Sequence, residues 1–344
     1  MTLPMISAIK VPRMTRVTWY KHRTLVLGVP GMFLLAAALL VIDSLLQRHW
    51  ISEHRFPNCL TYANIDTSIQ CQAGNSPPAQ GIFAEFVSYW RTEGAALTVF
   101  SLAAVAGLFG GVPWVAREFE GGGFRFTWTQ SVSPHRWLLG TFGSLTLLAA
   151  VTAAICGVAA HWWFQVARLR LDGGANPWGW ESIETAPLSM ASWTLLAMAL
   201  ALLLGVLIRR VLPAMIAFAV TFAGCALAAQ TWLPEFLFRV GDSSVRIIDS
   251  PNQTYPEMSY IAQTWFARPG GPKLNTMAVV EQLRGYSTVA GNRWLAQRHL
   301  SEWVAYQPHS HLVWLVLARN GILVAAAAVL VLASVWWLRR HPAE

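Results

Sequence analysis

Charge is scarce in this chain. Asp, Glu, Lys and Arg make up 12% of its 344 residues, against about 25% in a soluble globular domain. The shortfall argues against an ordinary cytosolic enzyme. It also excludes a disordered polymer, which would be rich in charge and poor in apolar residues. Four cysteines are too few for a small disulfide scaffold. Familiar catalytic signatures are missing as well. There is no G-x-x-x-x-G-K-[ST], hence no P-loop, and no G-x-S-x-G, H-E-x-x-H or C-x-x-C. The run Gly121-Gly122-Gly123 lacks a following Lys-Ser or Lys-Thr and reads as a turn, not a phosphate cradle. No metal site is expected: His309 and His311 are two apart and cannot share a helix face, and His49 and His54 do not stand at ligand spacing with Cys59 and Cys71.

What the chain has instead is apolar bulk: 55% hydrophobic residues, 18 Trp and 16 Phe. A bilayer core about 30 Å thick takes about 20 apolar residues as helix. Six runs qualify, at about 24–44, 94–116, 137–160, 185–208, 211–234 and 312–338. Asp43 at the far end of the first and Arg319 in the sixth are the charges they contain. Runs this long and continuous are not period-two barrel strands, so an all-α membrane protein with six transmembrane helices is expected. Pro30, Pro113 and Pro213 lie inside runs, which membrane helices tolerate where neighbours satisfy the freed backbone groups.

Orientation follows from the density of Lys and Arg. Segments 1–23, 117–136, 209–210 and 339–344 hold 12 basic residues against Glu118, Glu120 and Glu344. The alternate segments 45–93, 161–184 and 235–311 also hold 12, but spread over far more chain and balanced by acids. Basic density places both termini in the cytoplasm of a multi-pass cell-membrane protein. The net charge of +8 is then a matter of topology, and no nucleic-acid partner is implied, because no soluble-looking segment carries a basic and aromatic stripe. The first run is long for a cleavable signal and reads as an uncleaved anchor. Ahead of it, residues 1–23 alternate Ile6, Ile9, Val17 and Trp19 with Lys10, Arg13, Arg16 and Lys21, the pattern of an amphipathic helix in the inner headgroup layer with a break near Pro12.

Between the runs, two segments stand out. The exterior segment 235–311 carries Trp265, Phe266, Trp294 and Trp303, and Leu274 to Tyr306 has helix-like apolar spacing. It is long enough for a small cap or for helices that dip back into the leaflet. The cytoplasmic loop 117–136 is short, yet holds Phe119, Phe124, Phe126 and Trp128. A short solvated loop has no need of four large rings. It reads either as a docking element for a soluble partner or as an aromatic belt on the inner membrane surface. Carboxylates midway across the spans, which a proton-coupled carrier needs, are missing.

The stretch Val115 to Trp137, VAREFEGGGFRFTWTQSVSPHRW, resembles the cytoplasmic loop of actinobacterial ABC-2-type transporter permeases, which read approximately A-R-E-x-E-x-G-T-x-R-x-x-W-T-Q-S-V-x-R-x-R-W-L. Val17-Thr-Trp-Tyr-Lys-His-Arg23, Tyr306-Gln-Pro308 and Trp336-Trp-Leu-Arg-Arg340 resemble that family's N-terminal helix and closing segment. Gly123 stands in the place of the family's Thr, Pro134 in that of a basic residue, and Arg319 where an acid is expected. The resemblance implies a permease with the ABC-2 fold (type V exporter-like), paired as a dimer in the bilayer and driven by a separate ABC ATPase subunit that holds the ATP and Mg. The chain itself would be no enzyme and carry no cofactor. It would export a drug, antibiotic or lipid. Arg117, Glu118, Glu120, Phe124, Arg125, Trp128 and Gln130 would contact the ATPase. Arg319, about 10 Å below the outer boundary, is costly against lipid; either it snorkels to the outer headgroups, or it faces inward, where it pairs with Asp43 or lines the cargo path with Asn320 and meets an anionic group. The rival reading is a signalling or enzyme-like membrane protein whose working part is 235–311.

Cys156 and Cys225 fall in spans and read as small buried hydrophobes, whereas Cys59 and Cys71 share the first exterior loop. An oxidising exterior lets that pair close, worth about 3 kcal/mol in the chain-entropy description. Mass spectrometry of non-reduced peptides is expected to find Cys59 linked to Cys71; two free thiols would refute the pairing.

Overall fold

A computed structural model describes residues 12–53, 92–121, 134–168, 183–240, 244–248, 260–274, 276–284, 288–307 and 311–340. Six helices in it are long and apolar enough to cross a membrane: Leu27–His49, Val99–Glu120, Phe142–Val166, Pro187–Ile208, Val211–Trp232 and Leu312–Arg340. All six expected runs are there, with ends shifted by a few residues. The chain divides into two compact units. One comprises Met1–Gly174, Glu181–Cys225 and Asn320–Glu344; the other comprises Ala175–Trp180 and Ala226–Arg319.

The first span lies within α1 (Pro12–Glu53), one unbroken helix of 42 residues. The break expected near Pro12 is a helix start, where proline loses no hydrogen bond, and residues 12–23 continue the span's own helix. Span two is composite. It runs as α2 (Thr92–Val105), a π-helical segment (Ala106–Gly111) and α3 (Val112–Glu120). Span three lies in α4 (Pro134–Arg168) and span four is α5 (Pro187–Ile208). Span five opens α6 (Val211–Val240), and the last span is α9 (Leu312–Arg340). Hydroxyls inside spans bond back to carbonyls a turn away: Ser44 to Leu40, Thr152 to Leu148 and Thr194 to Met190. That keeps the polar atoms out of the apolar surroundings.

Span four is the centre of the first unit. Its sequence is apolar on every face, the mark of a helix buried all round, and Met190, Trp193, Ala197, Met198, Ala201 and Leu202 are almost fully enclosed. Phe100 of α2 meets the Trp193 ring edge-on at 5.2 Å between centroids, and Phe222 of α6 meets it at 5.7 Å. Spans four and five, joined by two residues, therefore touch through aromatic rings. Span three approaches even more closely, since a Cβ on Gly157 would sit 2.6 Å from Pro187 Cα. Small residues permit such backbone contact, which drives helix association where lipid offers no hydrophobic gain. On its other side α4 packs against α1 through Ala149, Ala153, Cys156 and Ala160 facing Val29, Phe33 and Ala37.

The second unit departs from the all-α expectation. Besides parts of α6 and α9 it contains an antiparallel sheet of β1 (Ser244–Ile248), β2 (Tyr260–Ala267) and β3 (Ser301–Gln307), ordered β1-β3-β2. Two short helices, α7 (Thr276–Leu283) and α8 (Thr288–Gln297), lie between β2 and β3 in sequence. The helical spacing expected from Leu274 to Tyr306 thus holds up to Gln297 and fails at Ser301–Gln307. There the strand pairs Trp303 with Trp265, their rings stacked 9° from parallel at 6.4 Å. Period two replaces period 3.6: Trp303 and Ala305 join Trp265 and Ala267 in a small core. At the end of β2, Gly270 has φ +74 and lets the chain turn back, closed by Gly271 N–H donating to Arg268 O at 2.9 Å.

Gly157→Ala should force spans three and four apart, at about 1–3 kcal/mol for overpacking. Gly143→Ala on the same helix, where an added Cβ meets nothing within 4 Å, should be neutral or stabilising. Thermal unfolding of the two purified variants in detergent checks the contrast.

Candidate functional site

Two zones of the first unit carry polar chemistry, one at each end of the spans. The first surrounds Arg209, where span two stops and spans four and five turn. α3 is amphipathic here: Glu118 and Phe119 are buried while Arg117 and Glu120 are exposed. Trp114 of α3 packs on Phe142 of α4 at 5.3 Å, so the two helices that flank the loop 122–133 are held together. Their contact belongs to a cluster with Val115, Phe119, Leu145, Leu202, Val206 and Leu338, gathering spans two, three, four and six. Span five joins through polar contacts. Glu120 Oε2 accepts from Val211 N–H at 3.4 Å. The Arg209 guanidinium lies 5.8 Å from the Phe119 ring centroid.

Of the residues expected to meet an ATPase, Arg117 and Glu120 present free surface. Glu118 does not: it is 6% exposed, its side chain turned inward by the same helical phase that buries Val115 and Phe119. Phe124, Arg125, Trp128 and Gln130 lie outside the described residues, as do Cys59 and Cys71. The two-residue link 209–210 is plain in the sequence, but no role for Arg209 is. A two-residue link between antiparallel helices needs a left-handed residue to end the first, and Arg209, at φ 57, provides it, its N–H donating to Gly205 O. The shortness of the link was the available signal.

The second zone is at the Asp43 end. Asp43 Oδ2 accepts from Gln47 Nε2 at 2.6 Å and from Trp163 Nε1 of α4. The Arg48 guanidinium lies 5.2 Å from the Trp162 ring centroid. Asp43 thus ties span one to span three. Before span four, the buried Glu184 accepts from Trp193 Nε1 at 2.7 Å. Within the bundle Asn320, 1% exposed, joins span six to span four: its Oδ1 accepts from Ser192 Oγ and its Nδ2 donates to Ser189 Oγ at 3.2 Å. Arg319, where the second unit ends, is itself buried, at 7% exposed. Asp43, Asn320, Ser189 and Ser192 are each matched to a polar partner on a neighbouring helix, which offsets the cost of placing them in an apolar setting. Ser189, Ser192, Trp163 and Glu184 were not singled out from sequence. Two serines three apart on an otherwise apolar helix, facing a span that carries an Asn, were a usable sign.

Residues 30–234, more than half of the chain, match the family model described as ABC-2 membrane transporter related. No curated protein and no solved structure matches the chain.

The Asn320 contact yields a measurable energy. Interhelical hydrogen bonds in membrane proteins average about 0.6 kcal/mol. Asn320→Leu is expected to cost about 1 kcal/mol, and a double-mutant cycle with Ser192→Ala should show the two substitutions to be non-additive. Strict additivity would mean that the contact does not form in the membrane.

Proposed function

Because the chain belongs to the ABC-2 membrane transporter related family, we propose that it is the membrane-spanning permease of an ATP-driven exporter. A separate ABC ATPase subunit docks on the face bearing loop 117–136, with both chain termini on that cytoplasmic side. ATP and Mg bind to the partner, and this chain hydrolyses nothing itself. Two copies pair in the bilayer to enclose the path. The cargo is a hydrophobic or amphipathic compound such as a drug, an antibiotic or a lipid.

The observation that carries this reading is the way the loop is anchored. Its two flanking helices, α3 and α4, are packed together through Trp114 and Phe142, and α3 is continuous with span two. A push on the loop cannot be absorbed at its base and must tilt spans two and three. Phe124 and Trp128 serve as rings that fill a groove on the ATPase, while Arg117, Glu120 and Arg125 set the register. At the other end, the bonds of Asn320 to Ser189 and Ser192, and of Asp43 to Trp163, close the resting bundle. Opening a path between spans four and six exchanges these bonds for contacts to cargo. Arg319, next to Asn320, then meets an anionic group on it.

Phe124→Ala combined with Trp128→Ala removes two aromatic anchors, each worth about 2 kcal/mol or more at an interface. The double variant should insert normally in the membrane yet lose most of its co-purifying ATPase. Undiminished co-purification from the variant would overturn the assignment of the loop.

A further inference from the structure

We infer that α3 and the Arg209–Arg210 turn form one rigid body, so that force entering through loop 117–136 is delivered to span five as well as to spans two and three. The inference deepens the transporter reading and rests on it. Arg209 and Glu120 act in it as positioning residues.

Three contacts join α3 to the turn, each of a different kind. The first is steric. A Cβ built on Gly205 would lie 2.8 Å from Val115 Cβ and 3.5 Å from Ala116 N, so the backbones of spans two and four touch one turn before the link. Neither can slide past the other without a clash. The second is electrostatic. Glu120 Oε2 faces Val211 N–H, the first donor of the 30-residue helix α6. A carboxylate there is attracted by the unpaired N–H groups and by the positive end of the helix dipole. The third is the Arg209 guanidinium over Phe119, a cation on an aromatic face whose ring is itself buried in the four-span cluster.

The link has no slack. Ile208 ends α5 and Val211 begins α6. Arg209 sits in the left-handed region with its N–H on Gly205 O at 3.1 Å, and Arg210 O accepts from Ala214 N–H at 3.2 Å. Both residues are thus bonded into the helix ends that they join. Span five needs such a connection, because Leu212, Ile216 and Val220 leave one side of it exposed at this end. Displacing α3 therefore pulls on the first turn of span five directly, with no flexible loop between them.

Distances between spin labels test the inference in the full chain bound to its ATPase subunit. Labels attached through a non-canonical amino acid at the exposed positions Arg117 and Leu212 report on the rigid body, in labelled chains that co-purification shows to keep their ATPase despite the loss of Arg117. A second pair at Leu212 and Leu147 reports on span five against span three. The 117–212 distance should stay narrow and unchanged between the nucleotide-free and vanadate-trapped states, while the 212–147 distance shifts. A trapped-state change in the 117–212 pair with the ATPase bound overturns the relay and leaves the transporter reading standing. Absence of any bound ATPase on the unsubstituted chain overturns both.

Arg209→Gly keeps the left-handed turn but removes the guanidinium. It should broaden the 117–212 distribution and abolish the 212–147 shift, and a shift that persists in full contradicts the relay. Glu120→Gln still accepts from Val211 N–H but lacks the charge facing the helix N-terminus, so it should keep part of the 212–147 shift, whereas Glu120→Ala should lose it; a full shift in Glu120→Ala would overturn the part of Glu120 in the relay.

Discussion

Everything in the membrane bundle depends on span four being enclosed. Lipid tails are as apolar as leucine, so a hydrophobic helix gains nothing by leaving them for another apolar surface. What holds the spans together must be close packing and a few polar bonds. Span four supplies both. Ala197, Ala201 and Gly205 let span two come near, Pro187 receives span three at Gly157, Trp193 collects rings from spans two and five, and Ser189 and Ser192 bond to span six. A bulky residue on almost any face of α5 would push away a different neighbour.

The two ends of the bundle are built on different physics. At the Asp43 end, carboxylates and an amide oxygen accept from indole N–H and hydroxyl groups, and two of these bonds cross to a neighbouring helix. Such bonds hold one arrangement and break discretely. At the Arg209 end, packing of Trp114, Phe119, Phe142, Leu202 and Leu338 dominates, and close-packed groups transmit displacement without choosing between states. In the function proposed above, a push is converted into an opening, which calls for stiffness where the push arrives and breakable contacts where the path opens, and the distribution of side chains suits that division.

The membrane spans were legible because length and continuity of apolar residues leave one solution in lipid. The tight turn at Arg209-Arg210 was legible from its length. The phase of the loop was less so. Glu118 and Glu120 look equivalent in sequence, but 200° of helix separates them at about 100° per residue, and only packing against span four decides which faces inward. The strand at Ser301–Gln307 was misread because its alternation is short and follows two helices. Its pairing partners, Ser244–Ile248 and Tyr260–Ala267, lie tens of residues away, and no local pattern announces them. The partners of Asn320 and Asp43 were hidden for the same reason: a hydrogen bond across more than a hundred residues leaves no periodicity.

The π-helical segment Ala106–Gly111 divides span two between its two halves. A π turn holds its hydrogen bonds one residue further along than an α turn, so it stores a surplus residue. Each residue corresponds to about 100° of rotation about the axis. The stripe that α3 turns toward Val206 and Leu338 is thus offset from the one that α2 presents through Phe100, and one helix addresses two sets of neighbours. The Arg117 half and the far half of the span thus seat on different neighbours along a single helix axis, each with its own packed stripe.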